Sequence, residues 1–277
     1  ACHAGLRALQ RHECSLGLAA GVTLMLAPGV GASFAVAGMT SARGRSHTFD
    51  GRADGYARGE ACGGVALARG GALLLVLLGS AVRQDGRSAS LTAPSGQAQQ
   101  GLLIAALRDA TTNVDALALS EAHGTGTALG DPIEAGSLVA AVLSAREAAA
   151  PLAVGGVKAN IGHAEPAAGM TGLLKLAQAL QRGHTAPNAQ LRALNPHVSG
   201  ALQRLLCALP TQAGRLSAPG YMSMYVYLLH PLILFNPWVM KHVFAQLSRL
   251  YGREVNVWSP ATDVSSVALL APMALLG

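Results

Sequence analysis

Short continuous apolar runs alternate with segments of helical periodicity over residues 1–218, and this alternation restricts the fold more than any other feature of the sequence. The apolar runs, which are typical of buried strands, lie at 15–26, 65–68, 73–78 and 116–120. The segments with helical periodicity lie at 97–110, 132–149 and 167–181. Strands and helices that alternate in this way predict an α/β fold.

Composition and charge exclude several classes of protein. Hydrophobic residues make up 51% of the 277 residues and charged residues 12%, which excludes a disordered chain. The formal net charge of +6 comes from single, scattered basic residues rather than from a run that could follow a phosphate backbone. We therefore expect no nucleic-acid partner.

The composition changes near residue 219. Only 3 of the 11 aromatic residues precede Tyr221, whereas 31 of the 33 glycines do. Residues 221–240 carry no charge and are long enough to cross a bilayer, although His230 and Pro231 interrupt the segment. The sequence thus predicts one domain over 1–218 and an apolar helical tail over 219–277, which either contacts a membrane or forms a buried helix pair.

The ends of the chain and its cysteines suggest a cytoplasmic piece of a longer protein. The four cysteines lack CxxC spacing and are expected to be reduced thiols. No leader pattern opens the sequence, which starts within an amphipathic helical segment without Met. We therefore expect that the printed sequence begins inside a larger gene product.

Two histidine-containing loops are the candidate carriers of chemistry. Residues 121–134 contain His123, and residues 157–169 contain Lys158 and His163. Each loop follows an apolar run and precedes a helical segment, so each histidine is expected at a strand end, where α/β proteins place their sites. A metal site is disfavoured because no third ligand stands at suitable spacing, and the glycine spacing does not match a dinucleotide-binding loop.

These loops carry a resemblance to a known family. EAHGTGTALGDPIEAG and KANIGHAEPAAG resemble the two histidine motifs of β-ketoacyl synthases, in particular the ketosynthase domains of type I polyketide and fatty acid synthases. Further similar segments occur in the family's order at 8–29, 49–63, 79–100 and 186–198. The resemblance covers residues 1–218.

The resemblance implies a thiolase-like layered α/β/α/β/α fold, here its C-terminal half, and decarboxylative Claisen condensation of malonyl-type and acyl thioesters. His123 and His163 would stabilise the enolate oxygen, Lys158 would orient them, and Thr125 and Thr127 would bind the phosphopantetheine arm. The implied partners are an acyl carrier protein, which carries the substrates on phosphopantetheine, and a second copy of the complete protein. The domain itself would bind no cofactor.

The sequence departs from the family at both ends. The resemblance places the nucleophilic cysteine upstream of Ala1, and Cys2 does not match it. The closing strands are expected to be missing, since residues 219–277 weakly resemble integral-membrane acyltransferases instead. Two alternatives to a condensing enzyme therefore stay open. One is an inactive fragment that binds carrier protein or a partner synthase, and the other is a membrane acyltransferase fusion.

Overall fold

The structure is a computed structural model that describes residues 1–70, 75–86, 88, 93–203, 205–216, 221–227 and 266–271. The helices of the described residues are α1 (Cys2–Gln10), α2 (Pro28–Val36), α3 (Gly96–Asp109), α4 (Gly130–Ala141), α5 (Lys158–Ile161), α6 (Ala168–Arg182) and α7 (Pro196–Leu202). The strands are β1 (Leu16–Thr23), β2 (Ala61–Ala68), β3 (Gly79–Arg83), β4 (Leu117–Glu121), β5 (Leu152–Gly155), β6 (His184–Thr185), β7 (Cys207–Ala208), β8 (Gly214–Arg215), β9 (Tyr221–Tyr227) and β10 (Ser266–Ala271).

A central sheet organises these elements. Among the described residues its strand order is β3-β10-β9-β4-β5-β7. The strands from β9 to β7 run parallel, whereas β10 pairs antiparallel with both β3 and β9. Two small antiparallel sheets, β1 with β2 and β6 with β8, accompany it. The strands that precede the two histidine loops, β4 and β5, are therefore parallel neighbours in this sheet.

Apolar side chains from both faces of the central sheet build two cores. On one face α3 and α4 bury Leu102 and Leu138 against Leu117 and Leu152. On the other face α6 buries Leu176 between the central sheet and the β1–β2 sheet. The layers therefore run helices, sheet, helix, sheet, which agrees with the α/β class predicted from the apolar pattern.

Two predicted elements differ from the observed ones. The strand predicted at 73–78 is wrong for residues 75–78, which have no regular structure, and β3 begins only at Gly79. The helix predicted over 132–149 ends at Ala141 and passes into a short 3-10 turn. Asp115 Oδ1 accepts the backbone N–H groups of Glu147 and Ala148, at 2.7 and 2.8 Å. This external acceptor stabilises a non-helical backbone beyond residue 146.

The predicted apolar helical tail is wrong for 221–227 and 266–271, because both segments are strands of the central sheet. Strand β9 pairs in parallel with β4, and Met222 is fully buried in the core. An uncharged apolar run suits the centre of a sheet as well as a membrane, which explains the wrong prediction. The remainder of 219–277 lies outside the described residues, and the boundary near 219 stays a prediction.

No helix in the described part of the chain combines the length and apolar character that crossing a membrane requires.

Candidate active site

The two histidine loops meet at one edge of the central sheet. Strands β4 and β5 are parallel neighbours, with Glu121 opposite Gly155 at their carboxyl ends. The first loop leaves β4 and reaches His123 two residues later, whereas the second leaves β5 and passes through α5 to His163. The topology therefore brings together the histidines that the sequence placed at strand ends.

Carboxylates of the following helix hold the first loop. The Oε1 and Oε2 atoms of Glu134 accept the backbone N–H groups of His123 and Gly124, at 2.5 and 2.8 Å. Asp131 Oδ1 accepts the N–H of Gly126 at 3.1 Å. Both carboxylates belong to α4, so this loop is braced from within its own stretch of sequence. These contacts give both acids a structural role in holding the backbone of the loop.

The first loop requires glycine at position 124. Gly124 has φ +51, in the left-handed region that favours glycine. A Cβ at this position would also lie 2.5 Å from Cγ2 of Thr48, whose hydroxyl donates to the Gly124 carbonyl at 2.6 Å. The loop thus packs against residue 48 more closely than any side chain would allow.

A distant segment holds the second loop. The N–H of His163 donates to the carbonyl of Ala57 at 2.7 Å, and the N–H of Gly59 donates to the carbonyl of His163 at 3.0 Å. A Cβ at Gly59 would approach the carbonyl oxygen of Ile161 to 2.5 Å. The backbone at 57–59 therefore pairs with His163 at a separation that only glycine permits, about a hundred residues away along the chain.

The imidazole rings of His123 and His163 pack edge to face. Their centroids are 5.4 Å apart and their planes cross at 89°. The ring of Tyr56 packs edge-on against His163, with centroids 4.9 Å apart. His123 is 9% exposed, while His163 is partly exposed.

A backbone hydrogen bond fixes the proton of the His163 ring. The N–H of Glu165 donates to Nδ1 of His163 at 3.0 Å, so Nδ1 accepts and carries no hydrogen. In the neutral ring the hydrogen then lies on Nε2. His163 is thus set as a hydrogen-bond donor through Nε2, on the side away from the backbone of its own loop.

Both rings are held neutral. Burial lowers the pKa of His123 well below its ordinary value of 6.5, and the positive charge of Lys158 lowers it further. Burial, followed by the charges of Lys158 and Arg58, has the same effect on the pKa of His163. The site therefore presents two neutral imidazoles near pH 7 rather than imidazolium ions.

Lys158 connects the two loops. It is 4% exposed, and its Nζ donates to the backbone carbonyl of His123 at 2.5 Å. Burial lowers the pKa of its ammonium group, while the charges of Glu121, Glu134 and Asp131 act in the opposite direction. The lysine predicted as an orienting group thus reaches the first loop from the second.

Buried Glu121 and Lys175 form an ion pair that the sequence analysis missed. Glu121 Oε2 lies 2.6 Å from Lys175 Nζ, and Glu121 Oε1 accepts the N–H of Val157 at 2.6 Å. The available signal was Lys175 itself, a charged residue among the leucines of the apolar helix α6. This pair joins the end of β4 to the start of the second loop.

The two threonines differ in their surroundings. Thr125 is 8% exposed within the first loop. Thr127 is partly exposed, and its hydroxyl accepts the N–H of Gly130 at 3.1 Å, at the start of α4. Thr127 therefore has a capping role in the structure, and binding of a phosphopantetheine arm by either threonine stays a prediction.

Burial outweighs the activating influences on the Cys2 thiol, which lies at the start of α1 near a positive charge. It is 8% exposed within α1, and burial raises the pKa of its thiol above the ordinary value. A raised pKa lowers the fraction of thiolate, which is the nucleophilic form. This agrees with the sequence analysis, which did not assign Cys2 as the nucleophile.

Comparison with known proteins matches two family models to the chain. The N-terminal domain model of β-ketoacyl synthases covers residues 1–71, and the C-terminal domain model covers residues 74–192. The chain belongs to the β-ketoacyl synthase family. The histidine loops of this ketosynthase-family chain lie within the C-terminal match.

Curated relatives agree with the family. One of the proteins that form the phenolphthiocerol/phthiocerol polyketide synthase of Mycobacterium tuberculosis is 43% identical over 205 residues, which cover 72% of this chain and 11% of that relative. Another protein of the same synthase and species is 42% identical over 215 residues, which cover 75% and 10%. The ketosynthase-family chain thus spans about a tenth of the length of these relatives.

Solved ketosynthases share the fold. The oxazolomycin ketosynthase domain OzmH KS7 of Streptomyces albus JA3453 has a TM-score of 0.82 and 26% identity, covering 99% of this chain and 44% of that one. The ketosynthase from module 6 of the bacillaene synthase of Bacillus subtilis 168 has a TM-score of 0.81 at 23% identity, covering 98% and 44%. The thiolase-like layered fold implied by the resemblance is confirmed.

Proposed function

We propose that the chain carries the malonyl-decarboxylation half of a ketosynthase site, in a polyketide synthase-like protein that performs decarboxylative Claisen condensation. The observation that carries this proposal is the edge-to-face pair of neutral imidazoles, His123 and His163, with Lys158 hydrogen-bonded to the backbone of the first of them. Family membership and the polyketide synthase relatives support the same class of reaction.

The chemistry of the pair follows from where charge develops. When a malonyl thioester loses CO2, the bond between the α-carbon and the carboxylate breaks, and its electron pair passes into an enolate. Negative charge then accumulates on the thioester oxygen. Neutral imidazole N–H groups can donate to that oxygen, and one such donor is worth about 3 kcal/mol in transition-state stabilisation.

Neutrality matters for this role. A site that already contains the Lys158 ammonium would pay a large cost to hold two further positive charges at close range. The tautomer of His163 places its hydrogen on Nε2, the nitrogen that is left for a substrate. Lys158 holds the His123 backbone and keeps the histidine pKa values low, so its role is to position and tune both rings.

Condensation needs a second half. The enolate carbon attacks the carbonyl of an acyl thioester on a cysteine, the new C–C bond forms, and the cysteine thiolate leaves. We assign that cysteine to the family's position before Ala1, and we propose that an acyl carrier protein presents the substrates on phosphopantetheine and that the complete protein is a homodimer. Decarboxylation, by contrast, depends on the loops described above.

A decarboxylation assay tests the proposal. The full chain is incubated with malonyl-pantetheine, and acetyl-pantetheine is measured by mass spectrometry. We expect His123→Ala and His163→Ala each to lower the rate by about 10²–10³-fold, because each removes one donor to the enolate oxygen. His197→Ala, which changes an exposed imidazole, is the control. Equal rates in all four proteins would overturn the proposal.

A further inference from the structure

Arg58 and Glu165 form a second, partly buried ion pair beside the site, which the proposed chemistry does not use. Arg58 Nε lies 2.9 Å from Glu165 Oε1, and Arg58 Nη2 lies 3.2 Å from Glu165 Oε2. The two side chains are 14% and 9% exposed. The guanidinium also lies over the Phe34 ring, with Cζ 5.4 Å from the centroid. The carboxylate is thus held at two points by a cation that is itself fixed.

Glu165 has an unusual backbone. Its φ is +43, in the left-handed region that residues with a side chain rarely adopt. Pro166 follows it, and a residue before proline favours extended backbone. Nothing in the local sequence therefore favours this conformation, which must be imposed by contacts from elsewhere in the fold.

The conformation has a direct effect on His163. The angle φ sets the direction of the N–H plane of a residue relative to its own side chain. With φ +43 at Glu165, the carboxylate reaches Arg58 while the N–H of the same residue donates to Nδ1 of His163 at 3.0 Å. One residue thereby couples the guanidinium to the imidazole.

We propose that Arg58 and Glu165 are positioning residues: their two-point ion pair holds the left-handed backbone at Glu165, and this backbone fixes His163 as the Nε2–H tautomer. The effect on the tautomer stands on geometry alone. The consequence for catalysis rests on the proposed function, since Nε2–H is the donor that the enolate oxygen would use.

Arg58 differs from the other contacts of the second loop. The backbone of Ala57 and Gly59 fixes the position of His163 along the pairing segment, and the edge of Tyr56 limits the tilt of its ring. None of these contacts determines which ring nitrogen carries the hydrogen. The N–H of Glu165 does, and Arg58 is the group that anchors the side chain of that residue.

Nitrogen-15 NMR of the full chain, labelled at histidine and measured at pH 8, reads the tautomer without any assay of activity. In the wild type we expect His163 as a single species with a pyridine-type Nδ1 and a pyrrole-type Nε2. In Arg58→Gln we expect a second species with the hydrogen on Nδ1. Arg58→Lys keeps a positive charge but cannot form the two-point pair, so it should also show the second species.

A rescue variant tests whether the Arg58 substitution acts through the backbone conformation of residue 165. In Arg58→Gln combined with Glu165→Gly, glycine can adopt φ +43 without an anchor, and its N–H can return to Nδ1. We expect this double variant to regain the single Nε2–H species. Arg52→Gln breaks a comparable two-point pair with Asp50, whose carboxylate accepts hydrogen bonds from residues 52, 192 and 193, and should leave the His163 signals unchanged.

The outcomes distinguish this proposal from the proposed function. A single Nε2–H species in Arg58→Gln, or failure of the double variant to regain it, would overturn the role of the pair. If the tautomer changes as expected, malonyl-pantetheine decarboxylation should fall by about tenfold in Arg58→Gln and recover in the double variant. A changed tautomer with an unchanged rate would instead contradict the assignment of His163 as the oxyanion donor.

Discussion

The first and second histidine loops reach the same result by different means. Each delivers a neutral imidazole to the carboxyl edge of the central sheet. The first loop is braced by Glu134 and Asp131, which follow His123 by 11 and 8 residues. The second is braced by backbone at 57–59 and by the Arg58–Glu165 pair, which spans 107 residues. The carboxylate braces of the first loop are therefore local in sequence, although Thr48 and Lys158 also hydrogen-bond to that loop, whereas the braces of the second loop come from residues about a hundred positions away.

The largest expected effect comes from breaking the pair that serves both loops. Glu121 ends β4, accepts the N–H of Val157 and neutralises Lys175. Because Glu121→Gln leaves a buried ammonium without its carboxylate, we expect the free energy of unfolding to fall by about 3–5 kcal/mol in urea denaturation. Glu121→Gln combined with Lys175→Met removes the unpaired ammonium and keeps an oxygen that can accept the Val157 N–H, so it should recover most of that loss. A loss below about 1 kcal/mol in Glu121→Gln would contradict a large contribution of the pair to stability.

A smaller effect is expected when only the local brace is changed. In Glu134→Gln one carboxylate oxygen becomes an NH2 group, which would face a backbone N–H donor at His123 or Gly124. An unsatisfied buried donor costs about 1–3 kcal/mol, and we expect a loss of that size in urea denaturation. Glu147→Gln, at an exposed position, serves as the control. A loss equal to that of the control would contradict a stabilising role of the Glu134 carboxylate in this loop.

The pH dependence of stability tests whether the histidine of each loop is neutral in the folded protein. The pKa of His163 is lowered in the folded state, so below its unfolded value of 6.5 the unfolded chain binds a proton that the folded chain does not. Stability is therefore present above pH 6.5 and is lost as the pH falls. Between pH 7 and pH 5 we expect the wild type to lose about 1–2 kcal/mol more than His163→Phe.

His123→Phe is the counterpart for the first loop and should show a difference of the same sign, because the pKa of His123 is also lowered. Burial raises the pKa of Asp131 to about 6, and burial also raises the pKa of Glu134. The stability that these carboxyl groups contribute falls as the pH rises above the pKa values they have in the unfolded chain. This contribution is common to the wild type and the histidine variants, so it cancels when they are compared. Equal pH dependence in the wild type and both variants would contradict neutral buried rings.

The smallest loss of stability is expected from substitutions of the two threonines of the first loop. Thr127→Val removes the acceptor of the Gly130 N–H at the start of α4, and we expect a loss of about 1 kcal/mol in thermal or urea unfolding. Thr127→Ser retains the hydroxyl and should behave as the wild type. Thr125→Val should instead raise the KM for malonyl-pantetheine if Thr125 contacts the pantetheine arm. An unchanged KM in Thr125→Val would leave that residue a structural role.

The contrast between the loops also explains what the sequence could predict. The strand-to-helix setting of His123 and its acidic partners all lie within 121–134, where periodicity and capping residues are informative. The pairs Glu121–Lys175 and Arg58–Glu165 join positions 54 and 107 residues apart, and no local pattern reports such contacts. The resemblance included the segment 49–63, which contains Tyr56 and Arg58, yet it gave these residues no role.

The same reasoning applies to β9. Its sequence has no charges and gives no local signal that separates a membrane segment from a central strand. Only its pairing with β4 and the burial of Met222 decide between them. Local sequence patterns therefore predicted most helices and strands and the setting of His123. The placement of β9 and the ion pairs of the second loop depend on contacts between distant residues.

The most direct test of the central claim is a pH titration of the histidine rings by nitrogen-15 NMR in the full chain. We predict that His123 and His163 stay neutral as the pH falls from 8 to 5.5, because burial and Lys158 lower the pKa of both rings. Free histidine added to the same sample serves as the reference and should titrate over this range. Protonation of His123 or His163 together with the reference would contradict a site built from two neutral donors.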